Sequence, residues 1–216
     1  MSRIVPAILT DDTKALDKMV RQVETFTDFF QLDIMDGEFV PSRSINAGDV
    51  AALKTKLNWE AHLMVTAPQQ YLEGFRKAGA KRVVFHYESG DYPLDVISQA
   101  RSIGLECGMA INPETDIEDI MPFVDRIDSV LFLSVTPGFY GSKFIPEVLD
   151  KIRQFRKLYP CVETGIDGGV KENNIAIIAS TGVDFICVGS AIFMQNNPAE
   201  SFQRLSALAE ESLPSF

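Results

Sequence analysis

The side chains best suited to acid–base chemistry sit at the ends of short apolar runs. One run closes on Gln31-Leu32-Asp33-Ile34-Met35-Asp36-Gly37, and a later one on Gly165-Ile166-Asp167-Gly168-Gly169. Successive side chains of a strand alternate in direction, so Gln31, Asp33 and Met35 share one face while Leu32 and Ile34 share the other. A carboxylate turned into an interior is costly without a partner, which marks Asp33 as a site residue rather than packing. A third run, Ala61-His62-Leu63-Met64, presents His62 and Met64 on one face in the same polar-then-Met order. The only other histidine, His86, ends a further run and reads as a hydrogen-bonded core or rim residue or as a support for the site. Two opposed carboxylates can take a proton from one face of a carbon and return one to the other, inverting a centre next to a carbonyl. The enediolate formed midway needs positive charge, which a divalent cation held by Asp33, His62 and Asp167 would supply.

Three glycine-bearing turns accompany these residues: Pro137-Gly138-Phe139-Tyr140-Gly141-Ser142, Gly168-Gly169 and Gly189-Ser190. Glycines let backbone N–H groups approach an anion closely, and paired turns of this kind after late barrel strands are a common phosphate site.

The elements that must position these groups follow from periodicity. Strand-like runs at 4–9, 29–34, 60–65, 82–87, 105–111, 129–135, 162–166 and 184–188 alternate with helical segments. Apolar stripes at helical spacing include Leu16, Met19, Val20 and Val23; Tyr71, Leu72, Phe75 and Ala78; Val148, Leu149, Ile152 and Phe155; and Phe202, Leu205 and Leu208. Thr66, Thr115 and Asn197 stand where N-caps belong, each followed by Gln or Glu three residues on. Eight β/α units without a linker or a composition shift predict a (β/α)8 barrel, residues 1–216 forming one domain. The alternative, a doubly wound open sheet, lacks its usual GxGxxG or GxxxxGK[ST] fingerprint here.

Composition narrows the partners. The 216 residues are 46% hydrophobic and 23% charged, with 20 basic and 30 acidic side chains and a net charge of −10. That field repels nucleic acid and anionic membrane surfaces, yet allows one small anion held by backbone N–H groups. No run reaches the length of a membrane helix, and residues 1–12 lack the basic and apolar regions of a secretory signal, so a cytoplasmic location is expected. Cys107, Cys161 and Cys187 are odd in number and lack CxxC spacing, which predicts buried thiols rather than disulfides or zinc ligands.

Six stretches, in order along nearly the whole chain, resemble the ribulose-phosphate 3-epimerase family. They are Asp33-Ile-Met-Asp-Gly-Glu-Phe-Val-Pro41, His62-Leu-Met-Val65, Phe85-His-Tyr-Glu88, Val135-Thr-Pro-Gly-Phe139, Ile166-Asp-Gly-Gly169 and Gly189-Ser-Ala-Ile-Phe193. The resemblance implies an α/β fold, a single TIM barrel of the ribulose-phosphate-binding type. It implies an isomerase of the pentose phosphate pathway acting at C3 of a ketose phosphate, most simply D-ribulose 5-phosphate to D-xylulose 5-phosphate. Asp33 and Asp167 correspond to the family's acid/base pair and metal ligands, and His62 to a further ligand of one divalent ion, zinc, iron(II), manganese or cobalt. Gln31 stands where the family carries a metal-binding histidine and would be a weaker fourth donor. Met35 and Met64 match its apolar walls, and Gly138, Phe139, Gly141, Gly168, Gly169, Gly189 and Ser190 its substrate-binding residues. A homo-oligomer acting on a small phosphorylated sugar is the implied assembly, with neither nucleic acid nor membrane as partner.

Further departures cluster at the same mouth. Ala7 replaces a serine, Leu133 a third methionine, and Tyr140 and Ser142 a glycine and a glutamine. Two other readings stay open: a different isomerase or lyase on the same barrel, or a sugar-phosphate binding homologue without turnover. The Asp-x-Lys-x-x-Asp motif of the barrel's decarboxylase and aldolase relatives finds Met35 at its lysine position.

Overall fold

Parallel strands must be joined by crossovers, and each helix that makes one covers the outer face of the strands beside it. In the computed structural model, which describes residues 2–138 and 142–211, this pattern closes on itself. Strands β1 (Arg3–Ile8), β2 (Phe29–Met35), β3 (Asn58–Met64), β4 (Arg82–His86), β5 (Glu106–Ile111), β6 (Ser129–Leu133), β7 (Glu163–Asp167) and β8 (Phe185–Val188) form a closed parallel barrel in chain order. The helices are α1 (Thr13–Val23), α2 (Ala47–Ala51), α3 (Gln69–Ala78), α4 (Pro93–Ser102), α5 (Ile117–Ile120), α6 (Val148–Leu158), α7 (Ile175–Ala179), α8 (Ser190–Phe193) and α9 (Pro198–Glu211). The (β/α)8 expectation is met, and the open-sheet alternative is excluded by the β1–β8 pairing of Arg3 to Pro6 with Phe185 to Val188.

Strand alternation divides the apolar residues into two cores. Outward residues such as Ile8, Leu32, Leu63, Phe85, Ile166 and Ile186 pack under the helical stripes, where Leu16, Leu72, Phe75, Ile152, Phe155 and Leu205 are all buried. Inward residues Val5, Val84, Ala110, Leu131, Phe185 and Cys187 form a separate cluster that fills the ring. Beneath it, Arg82 pairs with Glu163 at 2.7 Å and Glu60 at 3.4 Å, and Arg3 pairs with Glu163 at 3.0 Å. Glu60 is fully buried; burial pushes its carboxyl upward, against the opposing pull of Arg82. The bottom of the barrel is therefore closed by charge pairing and its middle by packing, which leaves the C-terminal mouth as the open end.

Two of the three expected helix caps are corrected by competition from other carboxylates. The Thr66 N–H donates to Asp36 at 2.7 Å, and Asp91 accepts the Gln69 N–H at the start of α3. The Thr115 hydroxyl turns to Glu88, leaving Asp116 at the N-cap of α5. Asn197 does accept the Glu200 N–H, at 3.4 Å. Cys107 and Cys187 are buried as expected, whereas Cys161 is exposed because it lies in the turn between α6 and β7, before the strand begins.

Gly165 shows how tightly the interior is filled. A Cβ there would lie 2.2 Å from the Phe185 ring, on the strand paired with it. The Gly165→Ala variant should lose about 1–3 kcal/mol of stability through overpacking. A denaturant midpoint equal to wild type would show that Phe185 has room to move.

Candidate active site

Residue type and strand register together bring the predicted groups to one place. Asp33 and His62 are register partners in β2 and β3, as are Met35 and Met64, and Asp167 is the last residue of β7. Asp33, His62, Met35, Met64, Asp167, Gly138, Gly168, Gly169, Gly189 and Ser190 all line one cavity at the mouth, together with Ala7 and Leu133. Gln31 lies just beneath the cavity and is fully buried. Phe139 and Gly141, also expected to bind substrate, lie outside the described residues, as does Tyr140.

The two carboxylates are tied together by Gln31. Its Nε2 donates to Asp33 Oδ1 at 2.8 Å and to Asp167 Oδ2 at 2.7 Å, while its Oε1 accepts the Cys187 thiol at 3.1 Å. His62 Nδ1 lies 3.1 Å from Asp33 Oδ1 and 3.6 Å from Asp167 Oδ2. Burial and the Asp33 carboxylate push the Asp167 carboxyl up to about 7. Burial alone would lower the His62 imidazole, but the hydrogen bond and charge of Asp33, with that of Asp167, outweigh it and raise the group. Burial likewise holds the Cys187 thiol well above its ordinary value, so it stands as an S–H donor.

A second chain of contacts sets the proton arrangement on His62. His62 Nε2 meets His86 Nε2 at 3.0 Å, and His86 Nδ1 meets Glu88 Oε2 at 3.2 Å. Burial lowers His86 to about 4, so its ring is neutral. Glu88 is an acceptor: burial pushes it up, but His86, the Thr115 hydroxyl and the Asn112 N–H outweigh that and hold it low. Neutral His86 therefore keeps its proton on Nδ1 for Glu88 and offers a bare Nε2, into which His62 Nε2–H donates. His86 is thus a buried partner of His62 rather than a rim residue, and the Phe39 ring lies 4.8 Å from it, centre to centre. Sequence reading did not join His62 to His86, nor Gln31 to Cys187; the shared inward parity of these strands was the available signal.

The turn after β2 is held by one of its own side chains, and the turn after β7 by Asn174 and by Ser134 just after β6. Asp36 accepts the N–H groups of Glu38 and Phe39, which folds the loop so that Val40 packs on Met35 and Met64. The Ser134 hydroxyl donates to the carbonyl of Gly168 at 2.7 Å, its backbone N–H donates to that of Asp167 at 2.7 Å, and Asn174 donates to that of Gly169. Gly168 has φ +109°, and a Cβ there would lie 2.5 Å from Val135, so this turn requires glycine.

Asp33, His62 and Asp167 each offer one ligand atom, all within 4.8 Å of one another. That donor set fits a divalent cation; His62 would offer Nδ1 once deprotonated there, since its Nε2 faces His86. Gln31 in this orientation turns N–H donors toward the same space and is no ligand as it stands.

A closed barrel with two carboxylates and a histidine converging at its C-terminal mouth is the architecture of a (β/α)8 enzyme. The profile of the Ribulose-phosphate 3 epimerase family matches residues 3–193, and the chain belongs to that family of isomerases. The cytoplasmic isoform of ribulose-phosphate 3-epimerase from Oryza sativa subsp. japonica is 37% identical over 221 residues, covering 98% of this chain and 96% of the rice protein. The ribulose-phosphate 3-epimerase of Schizosaccharomyces pombe is 35% identical over 224 residues, 100% of this chain and 98% of its own. Among solved structures, a 3-hexulose-6-phosphate synthase superposes with TM-score 0.74 at 17% identity, over 95% of this chain and 99% of the synthase. KGPDC from Streptococcus mutans gives 0.76 at 12% identity, over 97% of this chain and 98% of its own. At those identities the likeness is one of fold.

Asp167 carries a prediction for the cation-free protein. Its folded value of about 7 lies above the ordinary 3.8, so its contribution to stability is complete below pH 3.8 and is lost as pH rises to about 7. Carboxyl carbon NMR should show one aspartate titrating near pH 7, absent from Asp167→Asn. A midpoint below about pH 5 would overturn the assignment.

Proposed function

We propose that the protein interconverts D-ribulose 5-phosphate and D-xylulose 5-phosphate by moving a proton at C3. The observation that carries this is the approach of Asp33 and Asp167, from β2 and β7, to within 4.8 Å of each other and of His62. Family membership and relatives named as ribulose-phosphate 3-epimerases supply the reaction class.

The two acids are suited to different halves of the transfer. Asp167 serves as the acid on one face of C3. Asp33 serves as the base on the opposite face, and the roles exchange in the reverse direction. Proton removal leaves negative charge on the oxygens at C2 and C3. Asp33, His62 and Asp167 would hold a divalent cation (zinc, iron(II), manganese or cobalt), which would supply the positive charge that such an enediolate requires. Met35 and Met64, buried against Val40, exclude water from the planar intermediate and set polarizable sulfur against it. The phosphate is read by backbone N–H groups of the Gly168-Gly169 and Gly189-Ser190 turns, with Gly138 across the mouth. This mode suits a chain of net charge −10, because it uses no basic surface. A lyase of the Asp-x-Lys type has no counterpart for its lysine, since Met35 occupies that position.

Incubation with D-ribulose 5-phosphate in D2O, with manganese or zinc present, should exchange the C3 proton. Asp33→Asn and Asp167→Asn should each slow that exchange by roughly 100- to 10,000-fold. Phosphate-ester binding without exchange under every metal condition would replace the enzyme reading by that of a binding protein. Full exchange by either variant would overturn the acid/base pair.

A further inference from the structure

Gln31 has a carboxamide whose every strong hydrogen-bonding group is committed. Both N–H bonds go to carboxylate oxygens, at 2.8 Å on Asp33 and 2.7 Å on Asp167, and the oxygen takes the Cys187 thiol at 3.1 Å. Gln31 and Cys187 are both buried, on strands β2 and β8 that flank β1 on its two sides. Turned the other way, the amide would point its oxygen at two carboxylate oxygens and its N–H groups at a thiol, which is only a weak acceptor. Charge and the thiol therefore select the same orientation.

That orientation is the wrong one for a cation. A divalent ion seated between Asp33, His62 and Asp167 would face the positive N–H end of the Gln31 dipole and would draw away the oxygens those N–H groups hold. For its oxygen to face the ion, the carboxamide must turn over, breaking both carboxylate bonds and the thiol bond. We propose that Gln31 and Cys187 form a latch on the two catalytic aspartates: it clamps them together when no cation is bound and must turn over when one enters. Cys187 is the positioning residue, acting through the Gln31 oxygen. The latch rests on the reading that Asp33, His62 and Asp167 hold a divalent cation. Its particular content is that cation affinity is tuned by a thiol that lines the same cavity but lies outside the Asp33, His62 and Asp167 donor set.

Calorimetric titration of the full chain with manganese alone tests this without reference to turnover. Losing one neutral hydrogen bond that favours the clamped state should tighten manganese binding about 2- to 10-fold in Cys187→Ala. Cys187→Ser keeps a donor to Gln31 and should bind as wild type does. Cys187→Val, which fills the site without a donor, should follow the alanine variant and guards against a cavity effect. In a Gln31→Met background, which has no amide to turn, Cys187→Ala should leave the affinity unchanged. Equal affinity of wild type and both apolar Cys187 variants, or an equal gain in the Gln31→Met background, overturns the latch and leaves the cation reading intact. Absence of manganese binding from wild type and every variant overturns both.

Discussion

Two carboxylates held close together in a closed interior are the constraint to which the rest of the mouth responds. Asp33 and Asp167 bring ligand oxygens within 4.8 Å. Two full negative charges at that separation repel by roughly 3.5 kcal/mol at an effective dielectric constant of about 20. The protein answers with donors rather than distance. Two hydrogen bonds from the Gln31 amide, each contributing about 1.5–3 kcal/mol because its acceptor is charged, match that repulsion. His62 adds a third donor from the neighbouring strand, and Asp167 keeps a proton up to about pH 7.

The supporting shell repeats the same logic one layer out. His62 is fixed by His86, His86 by Glu88, and Glu88 by Thr115 and Asn112, so that a chain of contacts runs from the carboxylate pair to the loop after β5. Each link determines which nitrogen or oxygen of the next carries a proton. The inner apolar layer of Val5, Val84, Leu131 and Phe185 separates this network from the Arg82, Glu60 and Glu163 pairs below. Charge at the two ends of the barrel is thereby kept apart by side chains with no polar atoms. The chain's surplus of acid lies mostly outside, where water screens it.

Much of this was legible before folding, for a local reason. Period-two alternation in Gln31-Leu32-Asp33-Ile34-Met35 says which side chains share a face, and the structure places Gln31, Asp33 and Met35 together toward the barrel axis. The stripes of α1, α3 and α6 likewise named residues that are buried against the strands. Helix starts were less secure, because a Thr before a helix competes with any other acceptor or donor the fold brings near. Thr115 went to Glu88, 27 residues away, and Asp91 took the place expected of Thr66.

The sequence by itself determined eight strand-like runs, their inward faces, the acids and the histidine that those faces carry, and the glycine turns that follow them. These depend on periods of two and 3.6 residues, which any short window displays. Tertiary structure alone decided which inward residues touch. Gln31 meets Cys187 across 156 positions and Asp167 across 136, and His62 meets His86 across 24. Such contacts are set by the stagger of eight strands in a closed ring, a property of the whole ring and of no single window of the chain.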